Sequence, residues 1–450
     1  MSICVSFFVF DIYCMKSFHL RTLETILRYM SIVVLKRHKP IIVGITGSVG
    51  KSSTKEAIAI VLGTQFRIRH NTGNLNNEIG TALTIIGASS GGSSIARWCI
   101  VVIRWMITLL SPRKSYPEIL ILELGIDRVG DMNYFLSFLS PTVGVLTAIS
   151  TSHLEFFKNI STIAREKGKL ILSVPKDGAV ILNANEPHVM KFQEKVKSQV
   201  FSYGFKENAI VRATNIAFFN DKCGKPIGSS FKLEYEGKSI PVRLPNIIAE
   251  HHILAALAAA SVGIFFKMNP LDVAQALENF QSLPGRMRLL EGVRRSLVID
   301  DSYNSSPKSL EAALQTLGNL GGIRRFVVLG DMLELGNESD EAHQKVAEWI
   351  QECDISDVFL MGKRMLLAKE ELERRGFSKE HIHWFTDPDT IGNELAATLR
   401  EGDIVLVKGS QCMRLEKAVE VVMMHSSDAR NLLCRQSAEW LRTPFVQEIN

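Results

Sequence analysis

The sequence predicts an α/β protein of two successive domains: a central P-loop-type domain with a mostly parallel sheet, then a Rossmann-like C-terminal α/β domain. Three observations predict it. The uncharged run Ile41-Ile42-Val43-Gly44-Ile45 leads into a glycine turn and a helical stretch from Lys51, the pattern of a buried parallel strand feeding a helix. Strand-like runs then recur at Ile119–Leu124, Val143–Ile149 and Ala179–Leu182, with helical stretches between several of them. A second rhythm of the same kind begins after Pro284-Gly285. At 450 residues the chain is too long for one compact domain. The expected division is a leader at 1–39, a central domain at 40–283 and a C-terminal domain at 284–450.

The elements follow in order. Residues 3–10 are apolar, but Asp11 interrupts them and no small-residue cleavage site follows, which argues against a signal peptide. Leu23–Leu35 reads as an amphipathic helix ending in the basic cluster Lys36-Arg37-His38-Lys39. Ile95–Leu110 is apolar but contains Arg97 and Arg104. It is shorter than the roughly 20 residues of a spanning helix. It therefore reads as a buried or surface-lying amphipathic helix, with peripheral membrane contact as the alternative. Residues 208–244 are more polar and strand-like, as an antiparallel addition would be. Ile253–Val262 is an alanine-rich helix. In the second half, Leu297–Ile299, Arg325–Leu329, Asp357–Met361 and Ile404–Val407 read as strands with helices between.

Composition narrows the class. Charged residues make up 22% and the net charge is +5, which suits anionic substrates such as nucleotides and is too weak to predict nucleic-acid binding. The seven cysteines form no C-x-x-C pair and no zinc spacing. A reduced, cytoplasmic setting is the simplest reading.

The chemistry concentrates in Thr46-Gly47-Ser48-Val49-Gly50-Lys51-Ser52-Ser53. Between a strand and a helix, glycines let backbone N–H groups turn inward around phosphate oxygens. Lys51 would neutralise the β/γ phosphates and the Ser52 hydroxyl would hold Mg²⁺. The general P-loop pattern G-x-x-x-x-G-K-[ST] would place its first glycine at Ile45; here it falls at Gly47. A plain glycine turn before a helix is the competing reading.

This T-G-x-x-G-K-[ST]-[ST] loop resembles that of the Mur ligase family, which includes folylpolyglutamate synthases. The segment Asn74-Leu75-Asn76-Asn77-Glu78-Ile79-Gly80 is similar to the family's N-x-N-N-x-x-G. Further matches are Glu123 in Leu122-Glu123-Leu124-Gly125, His153 in Ser152-His153-Leu154-Glu155, and Lys167 in Ala164-Arg165-Glu166-Lys167-Gly168. The resemblance implies that Glu123 and His153 bind magnesium. It also implies that Lys167 is carbamylated into a third, carboxylate-like ligand. Singly, these residues would pass for a surface carboxylate, a helix-cap or core histidine and a solvated lysine; their order and their place at strand ends make the metal-site reading. Gly285-Arg286 resembles the family's arginine at the ATP phosphates. Asp300-Asp301-Ser302-Tyr303-Asn304-Ser305-Ser306-Pro307 resembles the D-D-S-Y-N-A-N-P of the D-alanyl-D-alanine-adding branch, which implies an ATP-ribose contact for Asp301. Gly330-Asp331-Met332-Leu333-Glu334-Leu335-Gly336, His343 and Val407-Lys408-Gly409-Ser410 match the same branch. The resemblance spans about residues 40–425.

Three features depart from the family. Only 39 residues precede the first strand, where this branch carries a domain that binds the uridine-diphosphate sugar. The leader is thus expected to stand in that domain's place. The family's H-N-x-x-N-x-L-A-A reads His251-His252-Ile253-Leu254-Ala255-Ala256-Leu257-Ala258-Ala259, without either asparagine; His252 could substitute at the adenine or be an ordinary helix-start histidine. Residues 88–118 look like an insertion, and Gln411 stands where K-G-S-R has arginine.

The activity this implies is ATP-dependent amide-bond formation in peptidoglycan precursor synthesis. A UDP-sugar peptide carboxylate would be activated as an acyl phosphate and captured by a D-amino-acid dipeptide, with ATP and two Mg²⁺ ions required. Lys51, Lys167, His153 and Arg286 are the expected catalytic groups. With Lys51 in one domain and Arg286 and Asp301 in the other, the domains are expected to close for reaction. The alternatives are another ligase of the superfamily acting on a different carboxylate, and a nucleotide-binding regulatory protein with reduced catalysis. A P-loop kinase or GTPase is disfavoured by the absence of N-K-x-D and of a protein-kinase catalytic loop.

Overall fold

The computed structural model describes residues 18–73, 75–92, 94–150, 157, 159–222 and 224–443. They form two compact units. One draws on residues up to Asn215, Phe231–Val242 and His251–Phe280; the other on Ile216–Ser230, Arg243–Glu250 and Gln281 onward.

Helix α1 (Phe18–His38) opens the first unit. Its Leu27 and Met30 join Ala82, Leu83 and Ile86 of α3 (Glu78–Ile86) and Val101 of α4 (Ile95–Leu110) in one small apolar cluster. The described part of the leader therefore packs as an added helix on the first unit. Strand β1 (Ile41–Thr46) is buried from its second residue on, as its uncharged sequence demands. It pairs in parallel with β3 (Ile119–Glu123) and β4 (Val143–Leu146). Gly44 lets Leu170 pack close against the strand: its Cδ1 lies 2.9 Å from where a Cβ would sit. Helix α2 (Lys51–Gly63) follows, then β2 (Ile68–His70), α5 (Asp131–Leu136), α6 (Ile160–Leu172), β5 (Ala179–Asn183), α7 (Pro187–Met190) and β6 (Gln199–Gly204). The sheet order is β2-β3-β1-β4-β5-β6, continued by β7 (Val211–Asn220), β8 (Pro226–Tyr235) and β9 (Lys238–Pro245). Glu236 and Gly237 alone link β8 to β9, both with positive φ, the two-residue turn that joins antiparallel neighbours. The alanine-rich stretch is the centre of α8 (Glu250–Phe265), followed by α9 (Pro270–Leu277).

The second unit carries a six-stranded sheet in the order β10-β11-β15-β12-β13-β14. These strands are β10 (Arg288–Glu291), β11 (Leu297–Asp301), β12 (Arg325–Gly330), β13 (Asp357–Met361), β14 (Ile382–Phe385) and β15 (Ile404–Lys408). Only β10 runs antiparallel, against β11. Helices cover both faces, which the alternation in β12 shows directly. Val327 and Leu329 face α10 (Pro307–Gly318), α11 (Ser339–Gln351) and α12 (Met365–Arg374), whereas Phe326 and Val328 face α13 (Pro388–Thr398) and α14 (Glu416–Val422). This is the doubly wound, Rossmann-like architecture. Two short helices, α15 (Ala429–Leu432) and α16 (Ala438–Arg442), close the described chain.

Four strands escaped the sequence reading: β2, β6, β10 and β14. They are short or carry polar residues, so no continuous apolar run marks them. The stretch Val143–Ile149 also ends as a strand at Leu146, and the next residue, Thr147, donates its hydroxyl to Val49 O (2.6 Å).

Candidate active site

In the first unit the site grows from the turn between β1 and α2. A Cβ on Gly47 would lie 2.0 Å from Thr147 Oγ1 and 3.0 Å from the Ala148 amide nitrogen. Gly50 sits in the left-handed region (φ 83°) and begins α2 with no side-chain cap. By contrast, Asn77, Asn159 and Asn269 cap α3, α6 and α9. The first N–H groups of α2 are thus left without a capping side chain at a positive helix end, the arrangement that binds phosphate. The end of β4 holds the loop from behind: Ser48 N donates to Ala148 O (2.8 Å) and Ser150 N to Ser48 Oγ (3.0 Å). Thr46 donates its hydroxyl to Leu124 O (3.1 Å), and Ser53 is buried.

Two lysines converge on one carbonyl. Lys51 Nζ donates to Gly47 O at 2.7 Å, and Lys167 Nζ reaches the same oxygen at 3.1 Å. Lys167 comes from α6 and is buried. Burial, with the Lys51 charge beside it, pulls its pKa down to about 7, against the opposing pull of Asp127 and Glu166. Glu166 is itself held: its Oε1 accepts from Gly130 N (3.0 Å) and Met132 N (3.1 Å), and its Oε2 pairs with Lys169 Nζ (2.5 Å).

Glu123 ends β3 beside the loop. Its Oε1 accepts from Ser52 Oγ and from Asn76 Nδ2, each at 3.1 Å. Its Oε2 is buried without a hydrogen-bond partner among the described residues, and Lys55 Nζ lies 3.8 Å away. Two oxygens about 3 Å apart match adjacent ligands of an octahedral Mg²⁺. A buried carboxylate oxygen with spare acceptor capacity fits the same ion. These residues therefore suit a hard divalent cation. His153 lies outside the described residues, as does Asn74 of the asparagine segment.

Sequence reasoning missed the residue that fixes Glu123. Asn71 clamps the Glu123 main chain from both sides, accepting from Glu123 N (2.8 Å) and donating to Glu123 O (3.0 Å). The rest of the asparagine segment is structural: Asn77 caps α3 through Gly80 N (2.8 Å), and a Cβ on Gly80 would strike Leu75 Cα at 2.4 Å. His252 is wholly buried, edge-on to Phe280. That burial is what a core histidine shows.

In the second unit the Arg286 guanidinium lies over the Tyr303 ring, 4.2 Å from its centre. Gly285 has φ 71° and donates to Asp300 Oδ2 (3.0 Å); burial pushes the Asp300 carboxyl up to about 6. Both oxygens of Asp301 are engaged, by Met287 N (3.1 Å) and by Lys408 Nζ (2.6 Å). Lys408 also donates to Asn304 O (2.9 Å). The branch-specific motifs interlock at the strand ends. Leu333 N donates to Ser410 Oγ (2.8 Å), Ser410 N donates to Asp331 O (3.1 Å), and His343 Nε2 accepts from Met332 N (3.0 Å). His343 Nδ1 then donates to Ser339 O (2.7 Å), which fixes its neutral tautomer. The tail that follows α14 clamps this loop. Arg435 reaches the carbonyls of Ser302 (3.1 Å) and Tyr303 and pairs with Glu416 (2.9 Å). Glu416 is shared with Arg414 (2.5 Å), whose NH2 and NH1 groups hold Trp440 O and Thr443 O.

Comparison with known proteins identifies the family. The Mur ligase middle domain matches residues 101–263, and the Mur ligase glutamate ligase domain matches residues 285–411. The UDP-N-acetylmuramoyl-tripeptide–D-alanyl-D-alanine ligase of Buchnera aphidicola is 30% identical over 84% of this chain and 74% of its own. The Escherichia coli enzyme of the same name is 29% identical over 85% and 76%. Among solved structures, MurF from Acinetobacter baumannii superposes with a TM-score of 0.72 at 24% identity, covering 88% of this chain and 79% of its own. MurF ligase from Thermotoga maritima in complex with ADP gives 0.70 at 23%, covering 91% and 84%. The chain belongs to the Mur ligase family.

Proposed function

We propose that this chain is an ATP-dependent ligase that joins D-alanyl-D-alanine to UDP-N-acetylmuramoyl-tripeptide in the cytoplasm, yielding ADP and phosphate. The reading is supported by the relatives that bear this activity in their names. Within the chain, the observation that carries it is the meeting of Lys51, Lys167, Ser52 and Glu123 at the uncapped start of α2. The leader, the central domain at 40–283 and the C-terminal domain at 284–450 remain our assignment of domain bounds.

The reaction has two steps. A carboxylate of the sugar peptide attacks the γ-phosphorus of ATP and breaks its bond to the bridging oxygen, giving an acyl phosphate and ADP. The dipeptide amine then attacks the acyl carbon, loses a proton and expels phosphate. In both steps negative charge gathers on phosphoryl oxygens. The loop Thr46–Ser53 would bind those oxygens through its N–H groups, with Lys51 at the β/γ positions. Arg286 would add a second cation at the phosphates and Asp301 a contact to the ribose, sharing its carboxylate with Lys408. Ser52 and Glu123, with His153 and a modified Lys167, would hold Mg²⁺, which supplies charge neutralisation on the transferring phosphoryl group. Carbamylation joins the Lys167 amine to CO₂ with loss of one proton. That step needs the neutral amine, and a pKa near 7 makes this form abundant at neutral pH. Mass spectrometry of the sugar peptide after incubation with ATP, Mg²⁺ and the dipeptide tests the proposal. The expected product is heavier by one dipeptide less one water, and forms far more slowly with Lys51→Ala; an unchanged sugar peptide with the wild-type chain would refute it.

A further inference from the structure

Helix α4 is apolar on nearly every side, yet only Val101 and Thr108 of it are buried. Its inward stripe rests on α1 and α3, and Trp105 Nε1 donates to Met30 O (3.0 Å). The opposite stripe points to solvent. Ile95, Ile100, Ile103, Met106, Ile107 and Leu110 are 45–85% exposed. At 100° per residue they fall within one arc of about 140°. Arg97 and Arg104 stack along one edge of that arc. A soluble protein rarely leaves so continuous an apolar face in water without a partner for it.

Charge identifies the partner. Residues 88–117 contain Arg97, Arg104, Arg113 and Lys114 and no Asp or Glu, and residues 18–39 contain five basic side chains against Glu24 alone. The net charge of the whole chain is only +5, so the remainder is negative and the positive charge is concentrated on these two segments. They also meet: His38 Nε2 bonds Thr108 O (2.9 Å) and Arg113 Nε donates to His38 O (3.0 Å). This brings Lys36, Arg37 and Lys39 to the C-terminal end of α4. A second copy docked through the same face would set like charges against each other. Residues 1–17, with Asp11 as their one acid, could not neutralise it either. An apolar stripe edged by arginines, with more cations at one end, is matched by a bilayer surface bearing anionic headgroups.

We infer that α4 is a membrane-surface anchor, lying in the plane of an anionic bilayer with Ile103 and Ile107 in the acyl boundary and Arg97 and Arg104 at the phosphates. The test is co-sedimentation of the full chain with vesicles of phosphatidylglycerol and phosphatidylcholine, and with vesicles of phosphatidylcholine alone. The chain is expected to partition onto the anionic vesicles, less so at high salt. The double variant Ile103→Glu/Ile107→Glu should reduce partition by more than about tenfold. Arg97→Gln or Arg104→Gln should each reduce it roughly fivefold. The variants should retain the wild-type circular dichroism spectrum and ATP-dependent phosphate release, since α4 has no part in the catalytic loop. Three outcomes would overturn the inference. They are no binding to either vesicle, equal binding by the double variant (which would assign the contact to another segment such as residues 1–17), and a self-association that the double variant abolishes while vesicle binding is absent throughout.

Discussion

Lys167 shows how a single buried side chain can couple stability to pH. Its folded pKa is near 7, well below the ordinary value of 10.5. Between those values the unfolded chain holds the proton more tightly, so stability rises as pH climbs through that window. Urea melts in CO₂-free buffer at pH 7 and pH 9 should show wild type gaining stability relative to Lys167→Met; parallel changes would exclude the coupling. Lys51→Ala should lower kcat by about 10²–10³, the scale of one lost electrostatic donor, measured as phosphate release. Asn71→Ala should weaken Mg²⁺ binding by about 10–100-fold, the usual cost of losing a residue that orients a ligand, read from a Mg²⁺ titration of the same reaction. Lys51 and Ser52 were legible because the glycine spacing around a helix start is local. Asn71 was not, since its partner Glu123 lies 52 positions away. Arg435, 132 positions from Tyr303, was illegible for the same reason.

At the scale of elements, the loop between β1 and α2 depends on bare backbone. Gly47→Ala would drive its methyl group towards Thr147 and the Ala148 amide. Nucleotide affinity is expected to fall far more than thermal stability, and calorimetric titration with an ATP analogue would separate the two. The tail helices are a second dependence. Arg435→Met would remove one of the two arginines on buried Glu416 and free the Ser302 and Tyr303 carbonyls. Breaking a buried ion pair of this kind costs about 3 kcal/mol, which a denaturant melt would register. Central strands such as β1, β3, β12 and β15 were plain in the sequence because burial on both faces leaves an unbroken apolar run. Edge strands β2 and β14 are only partly buried and leave no such run. The helix Ile95–Leu110 was legible as a helix, but which side of it faces outward is decided only by what packs against it.

For the whole molecule, two α/β units with central sheets follow from alternating strand and helix patterns, while the strand orders follow from connections that sequence does not display. Residues 1–17 and 151–156 lie outside the described structure, and His153 with them. The central claim is that the loop, the lysines and Glu123 serve ligation rather than nucleotide binding alone. The direct measurement is phosphate release from ATP and Mg²⁺ with UDP-N-acetylmuramoyl-tripeptide and D-alanyl-D-alanine supplied together and singly. Release that requires both substrates is the expected result. Tight, Lys51-dependent ATP binding with no release from the pair would contradict the claim.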